Sequence, residues 1–64
     1  MLSIREARTA LGMTQEQLAK AVGVTQAAVT QWENGSTHPS FKILAKLAKT
    51  LQITVDELID RTAG

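Results

Sequence analysis

The side chains with the most specific chemistry in this chain follow Gly23. Gln26, Thr30 and Gln31 are polar without charge, and the small Ala27 lies among them. A glutamine amide can form two hydrogen bonds with N6 and N7 of adenine, and a small apolar side chain can contact the methyl group of thymine. The sequence therefore offers Gln26 and Ala27 as candidate contacts to DNA base edges. Thr30 and Gln31, one turn further on, could reach a base or a phosphate.

Catalytic and metal-binding chemistry is poorly represented. The chain has no Cys and no Tyr, and its single histidine, His38, stands before Pro39 in a predicted loop. We find no nucleophile-and-base set and no glycine-rich phosphate loop, so an enzyme is not predicted. Oxygen ligands could in principle come from three acidic residues, Asp56, Glu57 and Asp60, but Asp56 and Glu57 fit a helix start better. We expect no cofactor, no bound metal and no small-molecule ligand.

Two short helices within residues 14–35 must position the candidate contacts. Their apolar residues recur at helical spacing and mark one inward face on each helix: Leu18, Ala19, Val22, Val29 and Trp32. Gly23 lies between the helices, where the chain must turn through a positive φ. This pattern is typical of a helix-turn-helix, whose second helix can enter the major groove of DNA. Thr25 precedes that helix and joins the candidate DNA contacts.

Capping residues mark the helix boundaries. Three hydroxyl residues are followed three positions later by Glu or Gln, which is the capping-box spacing: Ser3 with Glu6, Thr14 with Gln17, and Thr54 with Glu57. Thr25 and Ser40 can cap two further helices. The predicted fold is all-α, with five helices over residues 4–11, 15–22, 26–33, 41–51 and 55–60. A left-handed Gln52 after the fourth helix would cost about 1 kcal/mol.

Composition indicates one small domain over residues 1–64. A chain of this size buries only about 60% of the surface that it exposes when unfolded. No apolar run approaches the roughly 20 residues that span a bilayer, and no signal-peptide pattern opens the chain. We therefore expect a cytoplasmic protein that makes no contact with membranes. Residues 1–50 contain six of the seven Lys and Arg residues but only three of the six Asp and Glu residues. The net charge is therefore positive over residues 1–50 and negative over residues 51–64.

The chain resembles the Cro/phage-repressor type of helix-turn-helix domain, also called XRE-like, over nearly its whole length. The resemblance is carried by Arg8, Gly12, TQEQLA at 14–19, VGVTQ at 22–26, WENG at 32–35, Pro39 and LAKLAKTL at 44–51. It implies a compact helical bundle of the lambda-repressor type, binding to a near-palindromic site in double-stranded DNA, and commonly a homodimer.

The resemblance also implies roles for particular residues. Gln15, Asn34 and Ser36 would contact phosphates, and Lys42 is the cation best placed to join them. Such contacts set the register of the protein on the duplex but carry no sequence information. Arg8 and Glu33 would form a partly buried ion pair that joins the first helix to the third. The apolar candidates for a dimer contact near the C-terminal helix are Val55, Leu58 and Ile59.

We predict a sequence-specific DNA-binding transcriptional regulator, with repression as the favoured mode of action. The alternative is a protein-interaction module of the same fold, such as a coactivator bridge or an antitoxin. The modest net charge of +1 and the apolar character of the last predicted helix keep that alternative open. A regulator should show sequence preference and lose affinity steeply as salt rises, whereas an adaptor should show neither.

Overall fold

The computed structural model describes residues 3–56, which form an all-helical unit. Its helices are α1 (Ile4–Ala10), α2 (Gln15–Val22), α3 (Gln26–Glu33) and α4 (Phe41–Leu51). Within the described residues there are four helices, so the five-helix prediction is wrong. Of the predicted helix over 55–60, the described residues 55 and 56 are helical, but two residues are less than one helical turn. Most of that segment lies outside the described residues.

Side-chain caps begin all four helices. Ser3 and Thr14 form complete capping boxes with Glu6 and Gln17, in which each side chain bonds the backbone N–H of the other residue. Thr25 accepts a hydrogen bond from Ala28 N–H, and Ser40 accepts one from Ile43 N–H. These caps satisfy N–H groups that have no partner within their helix, and they set where each helix starts.

The core is built from the inward faces of the four helices. Leu18 of α2, Val29 of α3 and Leu47 of α4 are its largest fully covered side chains. Helix α2 packs against both α3 and α4, while α1 packs against α3. Because Val29 points into this core, the opposite side of α3 is turned outward. None of the helices in residues 3–56 is both long and apolar enough to cross a membrane.

Left-handed backbone ends two of the helices. Gly23 has φ 87° after α2, and Gln52 has φ 61° and ψ 38° after α4. The left-handed conformation anticipated for Gln52 is therefore present. Gly23 has room for a Cβ atom, since no heavy atom beyond Gly23 and its two chain neighbours would lie within 4 Å of it. Any cost of a side chain at Gly23 must consequently come from the backbone conformation, because there is no clash.

These two positions predict stability changes of opposite sign. Gln52→Gly should raise the free energy of unfolding by about 0.5 kcal/mol, because relief of the left-handed strain exceeds the extra entropy of an unfolded glycine. Gly23→Ala should lower it by about 1 kcal/mol. Urea unfolding followed by circular dichroism measures both. A destabilised Gln52→Gly variant would contradict the strain at this position.

Candidate nucleic-acid interface

The outward side of α3 carries the residues selected from the sequence. Gln26, Ala27, Thr30 and Gln31 are all exposed, whereas Val29 is fully covered. Eight residues make α3 about 12 Å long. With side chains a helix is about 10–12 Å across, and the major groove of B-form DNA is about 12 Å wide. The outward side therefore has the size and polarity to enter that groove.

The turn between α2 and α3 is held by backbone hydrogen bonds. Gly23 N–H and Val24 N–H both donate to the carbonyl of Ala19, at 2.8 and 2.9 Å. Ala19 is itself buried, and its small side chain leaves room for the neighbouring helix. Thr25 lies at the entry to α3, where its hydroxyl accepts from Ala28 N–H at 3.1 Å. Thr25 therefore fixes where α3 begins. This N-terminal end is the one that a base-contacting helix presents to DNA.

A covered carboxylate joins three of the helices. Glu33 of α3 has a side chain with 0% exposure, and its Oε2 accepts from Arg8 Nε of α1 at 2.7 Å. Its Oε1 accepts from Arg8 Nη2 at 3.1 Å, from Gln15 Nε2 of α2 at 3.1 Å and from Arg5 Nε at 3.3 Å. Arg8 also donates to the carbonyl of Met13 at 2.7 Å. We call these residues, Arg5, Arg8, Gln15 and Glu33, the Glu33 cluster.

The Glu33 cluster favours the charged forms of its ion pair. Burial by itself raises the pKa of Glu33, but hydrogen bonds from Arg8, Gln15 and Arg5 and the positive charge of Arg8 outweigh it. The pKa of Glu33 is therefore below its ordinary value. The hydrogen bond to Glu33 raises the pKa of Arg8, against the opposing effect of burial. The carboxylate stays an acceptor of hydrogen bonds at neutral pH.

The side chain of Gln15 is not freely exposed, as a simple phosphate contact would be. It is half-buried, and its amide bridges α2 to α3 through Glu33 and Thr30. Thr30 Oγ1 donates to Gln15 Oε1 at 2.8 Å. The sequence offered no signal for this bridge, because it depends on how α2 and α3 cross.

The turn after α3 holds the other two uncharged phosphate candidates. Ser36 donates to Asn34 Oδ1 through its hydroxyl at 2.7 Å and through its backbone N–H at 3.1 Å. The hydroxyl proton of Ser36 is thus used within the turn. The amide nitrogen of Asn34 takes no part in these bonds, and Asn34 is exposed. Asn34 is therefore the better donor of the two.

The start of α4 presents one cation and one aromatic side chain to solvent. Lys42 is exposed, and Phe41 before it is 69% exposed. Trp32 is half-buried and packs against the core, in agreement with its inward phase in the sequence. Part of Trp32 borders an open groove that also has Arg5 and His38 in its wall.

Arg5 is the residue of this site that sequence reasoning missed. It lies 28 positions from Glu33, and its side chain is 63% exposed. Its spacing of three from Arg8 places both on one side of α1, and this was the available signal. Among the predicted dimer residues, Val55 is half-buried against the core. Leu58 and Ile59 lie outside the described residues.

Removal of either arginine tests how the cluster supports the fold. Arg8→Ala should lower the free energy of unfolding by about 3 kcal/mol, because the covered carboxylate loses its main partner. Arg5→Ala is the matched control, and it should cost less than about 1 kcal/mol because Arg5 is largely in solvent. Urea unfolding curves of the two variants give both values. Equal midpoints for wild type and Arg8→Ala would contradict the structural role of the pair.

Acid should remove the contribution of Glu33. The unfolded chain takes up a proton near the ordinary value of 4.5, and the native carboxylate does so only at lower pH. Glu33 therefore stabilises the fold above that value, and this stability is lost as pH falls through its lowered native pKa. The difference in free energy of unfolding between wild type and Glu33→Gln should shrink from neutral pH to about pH 3. Glu16→Gln, at an exposed position of α2, is the control, and a difference that grows in acid would refute the assignment.

Comparison with known proteins identifies the family. A family model described as helix-turn-helix matches residues 4–58. The chain is 36% identical over 56 residues to the HTH-type transcriptional activator BcrR of Enterococcus faecalis, which covers 88% of this chain and 28% of the activator. It is 41% identical over 56 residues to repressor protein C2 of Salmonella phage P22, covering 88% of this chain and 26% of the repressor.

A third relative is of similar size. An uncharacterized HTH-type transcriptional regulator of Archaeoglobus fulgidus is 40% identical over 55 residues, which cover 86% of this chain and 79% of the relative. The chain thus spans about a quarter of the length of the activator and of the phage repressor, and most of the archaeal regulator. With the helix-turn-helix geometry above, the match establishes that the chain belongs to the XRE-type helix-turn-helix family of DNA-binding transcriptional regulators.

Proposed function

We propose that this protein is a sequence-specific regulator that places α3 in the major groove of an operator. The observation that carries the proposal is the two-sided character of α3. Val29 anchors one side in the core, while Gln26, Ala27, Thr30 and Gln31 cover the other side and are exposed. A rigid helix with an uncharged polar surface suits recognition of base edges, since hydrogen-bond patterns there distinguish the base pairs.

Base recognition is assigned to the first turn of α3. Gln26 would bond N6 and N7 of adenine, and Ala27 would contact a thymine methyl group. A good bidentate pair is worth roughly 1–3 kcal/mol against the wrong base. Gln31, one turn further along the same side, can both donate and accept and would contact a neighbouring base pair.

Phosphate contacts are assigned to the edges of this surface. The N–H group of Gln17 is bonded to the Thr14 hydroxyl, so the N–H groups of Gln15 and Glu16 are the ones at the start of α2 that suit an anion. The amide of Asn34 and the ammonium of Lys42 would hold the phosphates on either side of α3. Ser36 would contribute mainly by ordering Asn34 through its two hydrogen bonds. Such contacts supply affinity, while the bases supply specificity.

The active form is proposed to be a homodimer on a near-palindromic operator. Two copies would place their α3 helices in major grooves about 34 Å apart, which is one turn of DNA. One module of this size with few cations binds weakly, because neutralised phosphates provide most of the non-specific affinity. Val55, Leu58 and Ile59 are the candidate dimer contacts. Repression would follow from occupation of the operator.

Selection of bound sites from a random duplex pool tests the proposal. Wild type should enrich a consensus of two half-sites with centres about one helical turn apart. Gln26→Ala should change that consensus at one position in each half-site, because it removes a base contact. Lys42→Ala should keep the consensus and weaken binding to all sites. It should reduce the slope of log affinity against log salt by about 1.8 for a dimer, since each phosphate contact contributes about 0.9.

The controls separate loss of function from loss of fold. Lys46→Ala removes an exposed cation from α4 and should leave both consensus and slope unchanged. Circular dichroism checks that each variant is folded. Enrichment of no consensus, together with binding that is insensitive to salt, would reject the regulator and favour a protein-interaction module.

A further inference from the structure

The hydroxyl of Thr30 has its proton engaged inside the protein. Thr30 is exposed on the outward side of α3, yet its Oγ1 lies 2.8 Å from Gln15 Oε1 and 3.1 Å from the carbonyl oxygen of Gln26. Both neighbours are acceptors, and a threonine hydroxyl has one proton to donate. Whichever acceptor takes that proton, the hydrogen points back into the protein.

Glu33 decides which atom of Gln15 faces Thr30. An ionised carboxylate can only accept hydrogen bonds, so it must face the NH2 group of the Gln15 amide. The distance from Gln15 Nε2 to Glu33 Oε1 is 3.1 Å. The oxygen of the same amide is then turned to Thr30. The opposite orientation would set the amide oxygen against a covered negative charge.

Arg8 keeps the Glu33 carboxylate charged and in one position. Glu33 Oε2 lies 2.7 Å from Arg8 Nε, and the side chain of Glu33 is fully covered. The carboxylate is thereby fixed in position and charged. A chain of contacts leads from Arg8 through Glu33 and Gln15 to Thr30, and each member restricts the hydrogen-bonding role of the next.

We infer that Thr30 acts toward DNA as a hydrogen-bond acceptor and contacts the amino group of a base, N6 of adenine or N4 of cytosine, instead of a phosphate. A phosphate oxygen needs a donor, and the proton of Thr30 is already used. Adenine and cytosine are the bases that present an amino group in the major groove. The inference rests on the proposed function, since it requires α3 to lie in that groove.

Other residues of this surface are better suited than Thr30 to contact phosphate. Asn34, at the C-terminal end of α3, carries an NH2 group that can donate to phosphate, and Lys42 at the start of α4 brings a positive charge. Thr30 is therefore assigned to specificity, whereas Asn34 and Lys42 are assigned to affinity. It recognises a different feature from Gln26, whose amide can bond both N6 and N7 of adenine.

Duplexes that lack a single amino group test the inference. The probe is the selected consensus duplex, in which purine replaces one adenine at a time or 2-pyrimidinone replaces one cytosine at a time. For wild type, one such replacement in each half-site should weaken binding about fivefold per half-site, which is the effect of losing one hydrogen bond. The sensitive base should lie at a position of the consensus that Gln26→Ala does not change. Thr30→Val should bind the unmodified duplex about fivefold more weakly per half-site and lose nothing further on that modified duplex. Thr30→Ser, which restores the hydroxyl, should again respond to the replacement.

Three results would overturn the inference. If Thr30→Val weakens binding to every duplex equally, and no replacement outside the Gln26 position weakens binding of wild type, Thr30 contacts a phosphate. If Thr30→Val binds like wild type, the hydroxyl contacts nothing. If wild type selects no consensus at all, the proposed function fails and this inference fails with it. Valine matches the shape of threonine, and urea midpoints of the three proteins establish that the comparison is between folded states.

Discussion

The interaction on which the rest of this structure depends is the contact of a covered carboxylate with donors from two other helices. Glu33 belongs to α3, and its bonds to Arg8 and Gln15 tie α3 to α1 and α2. Val29 fixes the same helix to the core from another side. Since an uncompensated covered charge costs several kcal/mol, the helices have little freedom to move apart. The orientation of α3 follows from this constraint, and so does the identity of the side chains that it presents.

We propose two different roles for the polar groups of this surface. The uncharged polar side chains along α3 are the proposed base contacts, while Asn34 at its C-terminal end and Lys42 at the start of α4 are the proposed phosphate contacts. In the proposed complex, specificity and affinity would therefore come from different residues, because phosphate contacts depend on charge and salt whereas base contacts depend on the position of hydrogen-bonding groups. Thr30 occupies the boundary, since it is exposed and also bonded to the interior through Gln15. The Glu33 cluster thus joins the helices and, through Gln15, also engages the hydroxyl of Thr30 on the proposed recognition surface.

Local signals in the sequence predicted much of the fold. The caps at Ser3, Thr14, Thr25 and Ser40 begin the four helices, because such signals depend only on neighbouring residues. Contacts between distant residues were less accessible: the Arg8–Glu33 pair was anticipated only through family resemblance, and the bridge by Gln15 was not anticipated. The Gln15 amide could equally have faced solvent, and it bonds Glu33 and Thr30 only because of the way in which α2 and α3 cross. The fifth predicted helix is not among the four helices of the described residues, which include only its first two positions.

The most direct measurement of the central claim is the mapping of backbone amide NMR shifts as an operator duplex is added. If α3 is held outward as the recognition helix, the largest changes will fall on 25–27, 30–31 and 34–36, with smaller ones at the start of α2. Amides around Leu47 and Ala48, inside α4, should change little. Changes concentrated on α4, with α3 unaffected, would contradict the account.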